Sequence, residues 1–140
     1  MTKRDKDRIN RCGKLRSIGW KVNHNDLNTV SPHSGKETTR HYLVKAEICR
    51  QLSNQNHSFA TEVHHPERGQ CDVLDLNETE DVAYIYEVET DCSRERRREK
   101  AMQYTDDASC DVIADCMVID PTEAPDSLDA LEDWVEGKLY

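Results

Sequence analysis

The sequence predicts an α/β domain, with a mixed central β-sheet flanked by helices. Three observations carry that prediction. Apolar runs of strand length, 58–65, 71–76 and 82–91, follow one another with only turn residues between them. Stretches of helical periodicity enclose them, near 37–53 and 93–106. A nearly continuous apolar run, "VIADCMVI" at 112–119, then reads as a strand covered on both faces. A β-meander followed by a helical crossover to a further strand implies a sheet of mixed direction between helices.

The elements can be justified in order. Residues 1–20 are basic (Lys3, Arg4, Lys6, Arg8, Arg11, Lys14 and Arg16) and read as a loosely attached arm, leaving 21–140 as a single domain. "KVNHNDLNTVSPHSGKE", 21–37, is rich in turn formers and is expected to wind over the surface. From Glu37 to about Ser53, Val44, Ile48 and Leu52 recur at four-residue steps, with Glu37, His41 and Lys45 close to the same stripe. "SFATEVHH" and "CDVLDL" are strands around the turn "PERGQ", and "NETED" is a second turn before "VAYIYEVETD". After the 112–119 strand, "DPTEAPDS" breaks the chain. A last helix carries Leu128, Leu131 and Val135 at amphipathic spacing, with Asp126 or Ser127 as its N-cap.

At 140 residues there is room for one core. No run approaches the ~18 apolar residues of a membrane span, and the N-terminus lacks the apolar stretch of a secretory signal. The expectation is therefore a soluble cytoplasmic protein with no membrane partner. The formal charge of −9 is unevenly spread: residues 1–21 and "SRERRREK" at 93–100 are basic, while acid gathers in 72–91 and after Asp106. Such asymmetry admits a polyanion partner despite the net charge. Acidity with arginine outnumbering lysine suits a salt-loving archaeal host or its virus. None of the six cysteines forms a CxxC pair, so they read as reduced structural thiols without zinc spacing. Trp20 and Trp134 read as packing residues.

The chemistry concentrates on Glu87, Glu89 and Asp72. Side chains two apart on a strand share a face, so Glu87 and Glu89 lie side by side at the end of an apolar strand. Like charges there are costly unless something positive joins them. Asp72 opens the preceding strand, and antiparallel neighbours lie about 4.7–4.9 Å apart. Oxygen donors on two adjacent strands suit Mg²⁺ or Mn²⁺, which acidifies a bound water and offsets charge on a phosphate.

"GQCDVLDL…AYIYEVET", set in α-β-β-β-α-β order, resembles the PD-(D/E)XK nuclease superfamily over roughly Glu37 to Asp120. The resemblance implies a restriction-endonuclease-like core and a metal-dependent endonuclease acting on nucleic acid, most of all DNA, often as a homodimer. Asp72 matches the motif Asp and Glu87 the first acid of its second half. Position 89 departs from the pattern, since Glu89 stands where the family places Lys. The positive role then falls to Lys45 or Lys100 on the flanking helices. Glu37 is preferred over Glu47 as the supporting metal acid from the first helix, the two lying about 80° apart around it. Gln103 and Tyr104 resemble the residues that approach the site from the helix after the motif strand. His41, Arg94, Arg97 and Arg98, with Gln103 and Tyr104, are the expected substrate contacts, the arginines through phosphates. Glu62 and His64 share a strand face, Glu62 being read as a solvated or supporting acid. The alternative function is a catalytically silent nucleic-acid-binding or assembly protein that retains the fold. An acidic adaptor using the C-terminal helix is a further rival.

Overall fold

The computed structural model describes residues 1–32, 37–106 and 111–140. Its elements, in chain order, are α1 (Lys3–Ser17), α2 (Thr39–Asn54), β1 (Phe59–His65), β2 (Gly69–Asp75), β3 (Ala83–Val88), α3 (Arg94–Thr105), β4 (Ile113–Ile119) and α4 (Leu128–Glu136), with 3-10 turns at His24–Asp26 and Pro121–Glu123. The strands form one sheet in the order β1-β2-β3-β4. β1–β2 and β2–β3 are antiparallel hairpins, and α3 carries the chain over to β4, which runs parallel to β3. The architecture is thus mixed α/β, as the run of periodicities predicts.

Local chemistry sets each helix start. Thr2, Thr38, Ser93 and Ser127 each accept a hydrogen bond from a backbone N–H in the first turn of α1, α2, α3 and α4, satisfying a donor with no intrahelical partner. In α1 the cap is a full capping box with Asp5. Ser127 rather than Asp126 therefore caps α4, and α2 begins two residues after Glu37.

Two apolar clusters cover the two faces of the sheet. One joins Cys12, Leu15 and Trp20 to Val63, Leu74, Ile85, Ile113 and the α3 residue Tyr104. The other joins Val44, Ile48 and Leu52 of α2 and Leu131 and Val135 of α4 to Phe59, Val73, Tyr86 and Val88. The molecule is therefore three-layered, with α1 and α3 on one side and α2 and α4 on the other.

The segment 1–20 is not a loosely attached arm. Its basic side chains obscure an apolar edge in which Cys12 and Leu15 are fully buried. The buried Arg11 guanidinium donates to the carbonyls of Leu76, Asn77 and Glu80, tying α1 to the β2–β3 turn. Where α1 ends, Gly19 takes φ +107°, and a Cβ there would lie 2.4 Å from His65 Nε2. Only glycine fits that close approach. β4 departs in part from the expected covering on both faces: it is an edge strand, and Ala114 and Asp115 are exposed. Cys12, Cys49, Cys71, Cys92 and Cys116 are free thiols, all but Cys92 buried, while Cys110 lies outside the described residues. Trp20 is buried in the first cluster, and the partly buried Trp134 packs against the second. Among the described residues, no helix is long and apolar enough to cross a membrane.

Candidate active site

The site begins with a defect in the sheet. β2 and β3 pair over only three positions, Val73↔Tyr86, Leu74↔Ile85 and Asp75↔Tyr84. Beyond Val73, β2 stays with β1 as far as His65↔Gly69, and β3 stays with β4 as far as Val88↔Ile119. The sheet therefore opens like a V between the start of β2 and the end of β3. Side-chain alternation slips at the same place. Cys71 and Leu74 pack in one cluster and Val73 in the other, although residues three apart on a regular strand face opposite ways.

Asp72 and Glu87 fill this opening. The Asp72 N–H donates to Glu87 Oε2 at 2.8 Å, and the Val88 N–H donates to Asp72 Oδ2 at 2.7 Å. Each carboxylate takes a backbone donor from the neighbouring strand, replacing ladder bonds that the splay has removed. Both residues are buried, at 7% and 4% exposure. Asp72 leans toward α2, where His41 Nε2 is 3.7 Å from Oδ2. Glu87 leans toward α3, where Tyr104 donates to Oε1 at 2.6 Å and Lys100 Nζ lies at 3.2 Å.

The electrostatics follow from that packing. Burial, reinforced by the Asp72 charge, pushes Glu87 up to about 8, against the pull of Lys100 and Tyr104. Burial also opposes ionisation of Asp72. The neighbouring His41 and Glu87 side chains and the Val88 N–H outweigh it and hold that carboxyl below its ordinary range. The Asp72 carboxylate likewise raises His41, against its burial. The packing thus drives the two carboxyls apart, Glu87 upward and Asp72 downward.

Glu89 follows the end of β3 and lines the same cleft, of about 220 Å³, with Asp72, Glu87 and Lys100. Arg96 holds its Oε1 at 2.8 Å, and Lys100 stands 3.9 Å from Oε2. The three acids share a cleft but are not gathered around one point. Among the described residues, no group of three or more His, Cys, Asp or Glu side chains is arranged to hold a metal ion. Lys100 bridges Glu87 and Glu89 instead.

Of the two candidate lysines, only Lys100 reaches the pair. Lys45 is fully buried and donates to Ser31 O, Glu37 Oε2 and Glu62 Oε1 at 2.7, 2.8 and 3.0 Å. Glu37 meets the site through His41, whose Nδ1 is 3.1 Å from Glu37 Oε2. Glu47 is turned to Arg50 and Gln51. Gln103 does not face the cleft, because its amide donates to Arg68 O at the β1–β2 turn. Arg94, Arg97 and Arg98 lie exposed on α3, with Arg97 Nε donating to Cys92 O at 3.0 Å. None of the three lines the cleft.

Three participants were missed in the sequence: Gln70, the Val88 amide and Arg96. Gln70 carries a signal, standing two before Asp72 on a strand and lining the same cleft. Arg96, lost within "RERRREK", has none. No family model, curated protein or solved structure matches the chain.

Proposed function

We propose that this chain is a metal-dependent nuclease that hydrolyses phosphodiester bonds in DNA on a PD-(D/E)XK-like core. The observation that carries the reading is the buried Asp72–Glu87 pair at the splayed strand ends, with Lys100 on Glu87 Oε1. Two carboxylates buried together, one of them pushed up to about 8, form a donor set whose repulsion a divalent cation relieves. Asp72 and Glu87 would hold Mg²⁺ or Mn²⁺, and Glu89 would join them on release from Arg96. Such an ion would supply an acidified water and an offset to phosphate charge.

The chain's own residues do the rest. Lys100, at 3.2 Å from Glu87, takes the positive role that position 89 lacks and stabilises charge developing on the phosphoryl oxygens. Tyr104 and the Val88 N–H fix the two carboxylates by hydrogen bonds. His41, tied between Glu37 and Asp72, borders the cleft from α2. Arg94, Arg97 and Arg98 offer exposed phosphate contacts along α3, which position the strand without reading sequence.

Incubating plasmid with the protein tests this directly. Cleavage is expected with Mg²⁺ or Mn²⁺, none with chelator, and none with Asp72→Ala. The Arg96–Glu89 pair favours a second reading, a catalytically silent nucleic-acid-binding module in which arginine neutralises the acid at the lysine position. That module binds DNA equally with and without metal and cuts nothing.

A further inference from the structure

We propose that Glu62 is a positioning residue of this cleft, acting through Gln70, whose side-chain oxygen it turns toward an attacking water. The inference rests on the nuclease reading for its consequence, though not for its geometry. Glu62 sits mid-strand in β1 with φ +52°, a left-handed conformation that costs any residue with a Cβ. Strain of this kind in the middle of a strand points to something that depends on it. Thr61↔Val73 and Val63↔Cys71 pair on either side, so the kink lies directly across from Asp72. Alternation slips here as it does in β2, since Ala60 and Val63 pack in the same cluster.

The kink brings the Glu62 carboxylate under α2, where both oxygens are used. Oε1 accepts from Lys45 Nζ and Oε2 from Gln70 Nε2, each at 3.0 Å. Lys45 already has Glu37 and Ser31 O, so neutralising it does not require a strained backbone. Gln70 is different. An ionised carboxylate only accepts, so the Gln70 amide must offer it an N–H and turn its oxygen away. Gln70 lines the cleft beside Asp72 and Glu87, and the hydrogen bonds among the described residues leave its Oε1 without a donor. A fixed acceptor beside two carboxylates holds a water by one hydrogen and directs its lone pair. In the hydrolysis, that water forms the new P–O bond and releases a proton to solvent. The departing sugar oxygen takes the electron pair of the broken P–O bond and a proton from solvent.

A double-mutant cycle on the full chain decides the matter. Glu62→Ala and Gln70→Leu are each expected to lower kcat by about tenfold, with KM within about twofold of wild type. The double variant should fall no further, because Glu62 acts through Gln70. Glu62→Gln keeps an acceptor and should recover part of the loss. It also completes the cycle with Gln70→Leu should Glu62→Ala fail to fold. The ¹⁵N resonance of the Gln70 side-chain amide should shift in Glu62→Ala. Losses that multiply in the double variant, or an unmoved Gln70 amide, overturn the proposal. A wild-type protein that cuts no nucleic acid would instead defeat the nuclease reading, and the amide resonance would still decide whether Glu62 sets Gln70.

Discussion

Asp72 and Glu87 hold each other's strand: the Asp72 amide donates to the Glu87 carboxylate, and the amide next to Glu87 donates to the Asp72 carboxylate. The two acids close a gap in the sheet as well as lining a cleft. Changes at this pair therefore register in both stability and chemistry.

The pH dependence of stability follows from Glu87. Its folded pKa, about 8, lies above the ordinary glutamate value of 4.5. The unfolded chain thus binds fewer protons between those values. Glu87's contribution is fully present below about pH 4.5 and is lost as pH rises through about 8, by an amount on the order of a few kcal/mol. Denaturant titrations at pH 5, 7 and 8.5 should show that decline, and Glu87→Gln should flatten it. A variant with an unchanged slope would show that burial does not govern this carboxyl.

Lys100 should matter to chemistry more than to folding. Lys100→Met removes the cation nearest Glu87 and is expected to lower kcat by about a hundredfold while the protein still folds. Lys45→Met should do the reverse in emphasis, since it strips a buried ion cluster and leaves Glu37 and Glu62 facing each other. A cost of about 3–5 kcal/mol is expected. Melting curves and single-turnover cleavage of both variants separate the two roles.

Arg96 restrains Glu89. The pair is part-exposed, at 31% and 26% for the two side chains, so Arg96→Ala should cost less than about 1 kcal/mol. With Glu89 released, Mn²⁺ affinity measured by calorimetry should rise severalfold. Unchanged affinity would remove Glu89 from the donor set.

The N-terminal helix is expected to be indispensable. Arg11→Met removes the guanidinium hydrogen bonds to three carbonyls at the β2–β3 turn and should destabilise by about 1–3 kcal/mol. Removing residues 1–18 should abolish cooperative melting, whereas a loosely attached arm would be lost without effect.

Much of this fold was legible because its periodicities are strong. The Val44–Ile48–Leu52 stripe, the two hairpin strands and the 112–119 run all fall within two residues of the observed elements. α1 was hidden because its buried face is narrow, Cys12 and Leu15 among seven basic residues, and because Arg11 is buried through carbonyl contacts that no spacing rule reveals. At the site, the adjacency of antiparallel strands placed Asp72 near Glu87 but could not foresee the slip at Asp72 or the kink at Glu62. Those depend on where the sheet parts, a tertiary property. The choice between Lys45 and Lys100 also depended on partners distant in sequence, Glu62 and Glu87.

The most direct measurement is a cleavage panel over duplex, junction and single-stranded DNA, and RNA, run with Mg²⁺, Mn²⁺ or chelator, for the wild-type protein and Asp72→Ala. The account predicts DNA cleavage that needs the metal and disappears with Asp72. Cleavage that persists in chelator or in Asp72→Ala, or metal-indifferent binding without cleavage of any substrate, would contradict it.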